Sequence, residues 1–331
     1  MIYLFRVRET HITRTGPCMN STSSAPLTLH IHGPIISSSD VAAHIDLFRA
    51  FGLTEAGRLE RSVEETGMIW GTTGQASLEV SLQTPDTPFG VRLVQFTPGS
   101  DTQIRHPDRG SDSEALKVID FYAPDLDAAL KDIEAAGFRF KDEIADYDTP
   151  EGRFREAHLW GPDGVVCALI SGDAERFETL ATVRDRRVSE PQSISGPVQD
   201  QGPILNFLHD VFGLDVIHRY GLDDESFDAL VGSANAMKLR AWNVGTATEK
   251  PYFGIINYGL PEGSQVSAFE ASRPPARGLL GATLLVRDAA QIAARAGAKM
   301  HQTDIPGLGS CRSVTVQGPN GAWFQAVQTG S

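Results

Sequence analysis

The chain repeats itself. "IHGPII" at Gly33 returns as "ISGPVQ" at Gly196, 163 residues on, and "FRAFGL" at Gly52 returns as "HDVFGL" at Gly213, 161 on. "FYAPDLDAALKDIEAAGFRF", with Asp125, returns as "LLVRDAAQIAARAGAKM", with Asp288, again 163 on. "GPDGVVCALISG" from Gly161 returns as "GPNGAWFQAVQTG" from Gly318, 157 on. Four landmarks in one order at almost constant spacing mark an internal duplication, and such a chain folds as copies of one supersecondary unit. Its 331 residues suffice for about two domains, each with a core of its own.

Each half divides again. "KVIDFYA" reads as a strand, and Asp125 then stands at an N-cap position. Leu126, Ala129, Leu130 and Ile133 follow at helical spacing until Gly137 ends the helix. "FREAHLW", the GPDG turn and "VVCALIS" form a hairpin. The first module reads alike: "TLHIHGPII", a helix from about Asp40 to Phe51, then strands "GMIWGTT", "ASLEVSL" and "VRLVQFT". The spacing therefore predicts an α+β chain of four βαβββ modules. Its expected layout is an extended or disordered tail over 1–26, a two-module domain over 27–172, a charged helix and linker over 173–192, and a second two-module domain over 193–331. Residues 1–18, ahead of Met19, read as a tail or an upstream start-site extension, and 104–114 as a connector without a site.

A net charge of −13 argues against a nucleic-acid or anionic-membrane surface. No apolar run approaches the ~18 residues of a membrane span. Arg6, Arg8 and Arg14 interrupt the opening segment, so no signal-peptide core is read there. Cys18, Cys167 and Cys311 are odd in number and form no CxxC, which points to free thiols and a cytoplasmic protein.

A strand, a helix closing on Gly-hydrophobic, three strands and a terminal G-P-D/N-G hairpin resemble the vicinal oxygen chelate superfamily of glyoxalases, bleomycin-resistance proteins and extradiol dioxygenases. The resemblance spans about residues 27–328 and is sharpest in 116–171 and 279–328. It implies paired modules curling their strands into two cups around small ligands, with the four-module arrangement most like the extradiol dioxygenases. Both cups can be completed within the chain, so a monomer or a homodimer is expected. Metal-using members of the family place a His about seven residues before the helix-capping Asp, and a Glu four residues past the hairpin turn. Here those slots hold Val118 and Gly281, then Ala168 and Gln325, while the third module offers Ser195. Only the first module carries histidines on its first strand, His30 and His32, with Gln95 assigned to its carboxylate slot. None of the second-half slots supplies a strong ligand for a divalent ion. No metal site and no cofactor are therefore expected.

His30 and His32 share a strand face, as do Asp120 and Tyr122. If His32, Asp120 and Tyr122 meet, an imidazole oriented by a carboxylate can move a proton, and these three are the catalytic candidates. The plainer alternative is a solvated strand-edge histidine and a surface aspartate. Trp242, Tyr252, Phe253, Asn257, Tyr258, Trp323 and Gln325 are expected around the second cup, an apolar wall with amide groups suited to an aromatic ligand. The substrate-binding candidates are thus His30, Gln95, Trp242, Tyr252, Asn257, Trp323 and Gln325, with plain core packing as the alternative for the aromatics. His158, beside Glu156, Arg153 and Arg155, reads as an exposed hairpin more readily than as a binding site, His209 and His218 as surface positions, and Cys167 as a small core residue opposite Ala168.

Three functions remain open. The first is an enzyme doing side-chain acid–base chemistry (lyase, isomerase or hydrolase) on a small hydrophobic, aromatic-derived molecule without metal. The second is an extradiol-type dioxygenase holding Fe, Mn or Zn through displaced ligands among His30, His32, His158 and His301. The third is a non-catalytic binding or resistance protein.

Overall fold

A computed structural model describes residues 26–105, 111, 113–149, 152–172, 181–233 and 235–330. Residues 1–25 of the expected N-terminal tail and 173–180 of the expected helix and linker lie outside the described residues.

Module 1 comprises β1 (Thr28–Ser37), α1 (Val41–Ala50), β2 (Thr54–Arg61), α2 (Val63–Trp70), β3 (Ala76–Gln83) and β4 (Gly90–Thr97). Module 2 holds β5 (Val118–Tyr122), α3 (Leu126–Ala135), β6 (Phe140–Thr149), β7 (Gly152–Trp160) and β8 (Val166–Gly172). Module 3 holds β9 (Pro191–Pro197), α4 (Gly202–Phe212), β10 (Asp215–Leu222), α5 (Glu225–Val231), β11 (Leu239–Gly245) and β12 (Tyr252–Asn257). Module 4 holds β13 (Gly278–Val286), α6 (Ala289–Ala296), β14 (Met300–Ile305), β15 (Gly309–Gln317) and β16 (Trp323–Thr329). Asp40, Asp125 and Asp288 each cap a helix by accepting main-chain N–H groups of its first turn. "GMIWGTT", read as a strand, instead closes α2. Ser62 and Glu65 form a reciprocal capping box that starts this helix, and left-handed Gly71 stops it.

The strands form two curled eight-stranded sheets, β14-β15-β16-β13-β1-β4-β3-β2 and β10-β11-β12-β9-β5-β8-β7-β6. The expected pairing of neighbouring modules within each half is thereby corrected. Modules 1 and 4 share one sheet (the terminal cup), and modules 2 and 3 share the other (the central cup). The joints are antiparallel first-strand pairs, β1 with β13 and β5 with β9.

Alternation along each strand divides the two faces. Val91 and Leu93 join a large apolar cluster with Phe48 of α1, Ile133 of α3, Leu208 of α4 and Ile292 of α6. That cluster continues across both sheets. The Phe51 and Phe121 rings lie 4.8 Å apart, and Phe253 of β12 meets Phe324 of β16 edge-on at 5.3 Å. Cys167 belongs to this core, its thiol pushed up by burial, with Ala168 on the opposite face. The hairpin turn at Gly161 adds a latch between the sheets. Asp163 accepts from the Ser39 main-chain N–H at 2.8 Å and lies 3.2 Å from His44 Nε2. Among the described residues no helix is long and apolar enough to cross a membrane.

Candidate active site

The two concave faces differ in chemistry. In the terminal cup, β3 and β4 turn Glu79 and Arg92 inward, and β2 adds Arg61. All three are buried. Glu79 lies 2.9 Å from Arg61 and 3.0 Å from Arg92, and it accepts the Trp70 indole N–H at 3.2 Å. Arg92 also donates to Thr283 at 3.1 Å and to Gln325. Arg61 donates to Thr303 at 2.9 Å and to the Asp304 carbonyl, stitching the sheet's two edge strands together. Burial works against the Glu79 carboxylate, yet the two guanidiniums hold its pKa below the ordinary value. Trp323 donates its indole N–H to the Ser272 carbonyl at 2.8 Å and packs against the apolar cluster that contains Trp70.

The central cup carries a row of residues in register across five strands: Tyr252, Ser193, Asp120, Ala168 and His158. Asp120 Oδ2 accepts from Ser195 at 2.9 Å and from Ser193, whose hydroxyls lie 3.1 Å apart. Gly254 makes this possible, since a Cβ there would stand 2.2 Å from Ser195 Oγ. His158 Nε2 lies 2.7 Å from Glu156 Oε1, and the Tyr147 hydroxyl donates to Glu156 Oε2 at 3.1 Å. Lys117 Nζ sits 3.5 Å from the Tyr258 hydroxyl and 5.8 Å over its ring. Adjacent strands are ~4.8 Å apart, so about 10 Å of sheet separates the Asp120 and His158 backbones. Only the Ala168 methyl group stands between them on that row. Val118, Val166, Ala168 and Trp160 make an apolar floor alongside.

Electrostatics tune this cup toward neutrality. Burial, then the nearby Glu156, pushes Asp120 up to about 7, against the serine hydrogen bonds and Lys117. Burial, then Arg105, brings Lys117 down to about 7. Burial also lowers His158 against the pull of Glu156. A carboxyl and an amine that both change charge near pH 7 are matched to proton transfer.

The sequence candidates are scattered by this geometry. His32 lies on β1 in the terminal cup, whereas Asp120 and Tyr122 lie on β5 in the central one, so the expected trio does not converge. Asp120 is no surface charge either, being buried, and Tyr122 is buried against Ala181. His32 has its pKa lowered to about 4, chiefly by burial and then by Arg92; His30, edge-on to Phe89 at 5.5 Å, is lowered to about 4 by burial and Lys250. Gln95 faces the helix layer, accepting from Val41 N–H at 3.4 Å and donating to the Ser39 carbonyl, so Arg92 takes the cup-facing position assigned to it. Trp242 packs on the helix-side core beside Val244. Asn257 straps the end of β12 to Gln199 at 2.8 Å, beside a cavity of about 510 Å³. Tyr252 is in the central cup and Gln325 and Trp323 are in the terminal one, so the expected single wall is divided between two sites. Glu156 and His158 are buried rather than on an exposed hairpin; Arg153 and Arg155 are the residues turned outward, to Asp146 and Asp127. His209 is a surface residue 2.9 Å from Asp215. Glu79, Arg92 and Lys117 were missed, although Glu79 and Arg92 are each a lone charge inside an apolar strand-like run, the pattern of a buried ionic group, and Lys117 opens the run that holds Asp120.

This architecture, two curled sheets of paired modules with helices outside, is the fold of the vicinal oxygen chelate superfamily. Among solved structures, the chain is similar to glyoxalase I from Zea mays, with 15% identity and a TM-score of 0.56 over 90% of this chain and 92% of that one. It is also similar to a Bacillus subtilis protein with a proposed dioxygenase assignment, at 11% identity and a TM-score of 0.53 over 93% of this chain and 87% of that one. At such identities the likeness establishes the fold alone. No protein-family model matches the sequence, and no curated protein matches it.

The metal that this fold family implies does not fit the donors present. At the center of the terminal cup, the guanidinium of Arg92 binds the oxygens of Gln325 and Thr283. In the central cup Asp120 is bracketed by two serines and Ala168. Among the described residues, no group of three or more His, Cys, Asp or Glu side chains is placed to hold an ion.

Proposed function

We propose that the central cup is the active site of an enzyme that moves protons on a small, flat, largely apolar molecule, using side chains and no resident metal. The observation that carries this reading is Asp120, a buried carboxyl whose pKa lies near 7, facing the His158–Glu156 pair across Ala168. Asp120 serves as the proton acceptor, and its half-protonated state near neutrality lets it return the proton to a neighboring atom. Lys117 and Tyr258 stand as the polar pair that steadies negative charge on a substrate oxygen, and the floor of Val118, Val166 and Trp160 takes the apolar body. The chemistry is that of a lyase, isomerase or hydrolase acting on an aromatic-derived substrate, in the cytoplasm.

The test is a thermal-shift screen of small aromatic ketones and esters, followed by proton NMR of each ligand in D₂O. Deuterium should enter the ligand with wild-type protein, survive chelation, and slow at least ~100-fold in Asp120→Asn with binding retained. Exchange that stops on chelation would restore the metal-dependent dioxygenase-type reading. Binding without exchange or turnover would make the chain a small-molecule carrier.

A further inference from the structure

The terminal cup carries more positive charge than its own carboxylate can balance. Arg61 and Arg92 are both buried, and Glu79 is the one carboxylate in salt-bridge contact with either of them among the described residues. Removing an unbalanced charge from water is costly, so such an excess calls for a counterion. Nearby polar atoms also await partners. Arg92 Nε, His32 Nδ1, His30 Nε2 and Ser313 Oγ are buried and make no hydrogen bond. They share one concave face, curled tightly enough for Arg92 of β4 to reach Gln325 of β16. Thr283, Gln325 and Thr315, the row that holds Arg92, adjoin the row of His30, Leu285, Val327 and Ser313. Lys250, from the turn between β11 and β12, adds its charge beside His30. Leu29, Leu285, Val327 and Ile305 supply an apolar cluster on the same side.

We propose that the terminal cup is a binding site for a small hydrophobic monocarboxylate, whose charge is received by Arg92, His32 and Ser313 and whose body lies against Leu285 and Val327. Among the fully buried groups, Arg61 and Arg92 exceed Glu79 by one positive charge, which matches a monoanion, and Lys250 is partly exposed. Three of the five N–H groups of Arg92 serve Glu79, Thr283 and Gln325, leaving Nε–H and one Nη2 N–H for a carboxylate. This site is separate from the proposed central-cup chemistry and stands without it.

The probe is benzoate, with neutral benzamide as its control, added to the full-length protein at constant ionic strength. Benzoate should raise Tm with increasing concentration and bind measurably by calorimetry, while benzamide does neither. Arg92→Met leaves Arg61 and Glu79 as a balanced pair and should weaken benzoate binding at least tenfold. Should that variant not fold, His32→Asn should weaken binding several-fold. In wild type, carbon-detected titration of the His32 ring should show its pKa rising when benzoate is bound. Equal effects of benzoate and benzamide would overturn the proposal. So would undiminished binding in Arg92→Met or His32→Asn, or a His32 titration that benzoate leaves unmoved.

Discussion

Replacing Asp120 by Asn tests the electrostatics of the central cup without needing a substrate. The amide keeps the side-chain shape and still accepts from Ser193 and Ser195, but it cannot ionize. In wild type the Asp120 pKa rises from 3.8 in the unfolded chain to about 7 in the folded one. Between those values the folded state holds a proton that the unfolded state releases, so this contribution is complete below about pH 4 and is lost as pH climbs through about 7. At ~1.4 kcal/mol per pH unit the loss comes to about 4 kcal/mol. Lys117 acts with the opposite sign and in a higher window, because its pKa falls from 10.5 to about 7 on folding. It stays protonated in both states below about pH 6 and leaves the acid range to Asp120. Urea unfolding followed by tryptophan fluorescence at several pH values gives ΔG for both proteins. The stability of Asp120→Asn relative to wild type should grow by about 4 kcal/mol from about pH 4 to about pH 8, while surface carboxylates cancel in the difference. A pH-independent difference would mean that Asp120 is ionized at neutrality like an ordinary carboxylate, and the proton-transfer reading would lose its basis.

Glu79→Gln leaves two buried guanidiniums without their carboxylate and should cost about 3–5 kcal/mol in chemical denaturation, the range for breaking a buried ion pair. A loss under about 1 kcal/mol, the size of an exposed pair, would contradict the buried network. Gly254→Ala forces a Cβ into Ser195 Oγ and should displace the serine from Asp120, shifting the pH dependence just described; an unaltered profile would show that the serines do not set the carboxyl's environment. Cys167, buried in the core with its thiol pushed up, should stay unmodified by a thiol reagent until the protein is unfolded, as read by mass spectrometry of its peptide.

Local features of the fold could be read from the residues because their causes are local. Asp40, Asp125 and Asp288 cap helices through bonds that span two or three residues, and the G-P-D/N-G turns close hairpins within a few more. The Ser62–Glu65 capping box was legible by the same logic and was passed over in favor of the apolar run behind it. At the candidate site, Ala168 and Gln325 occupy the slots that the family resemblance counts four residues past each turn, Ser195 is the third module's first-strand counterpart, and all three face a cup. Gln95 shows where counting fails, because the facing position three residues earlier belongs to Arg92.

The duplication by itself determined that the chain would form four modules, and alternation determined which strand faces would meet the helices. Partner choice was beyond it. In a chain ordered first type, second type, first type, second type, pairing neighbors within each half and pairing the outer and inner modules both join one module of each type through their first strands. The repeat is therefore silent between them, and only the contacts β1–β13 and β5–β9 decide. That decision carries the chemistry. It sends His32 and Asp120 to different cups and ties the Arg61–Glu79–Arg92 network of the first module to Gln325 from the far end of the chain. It also buries Asp120 among Ser193, Ser195 and Glu156, where its pKa depends on neighbors more than 30 residues away in sequence. Burial and long-range register set the charge state of these groups, and neither is written in the local order of residues.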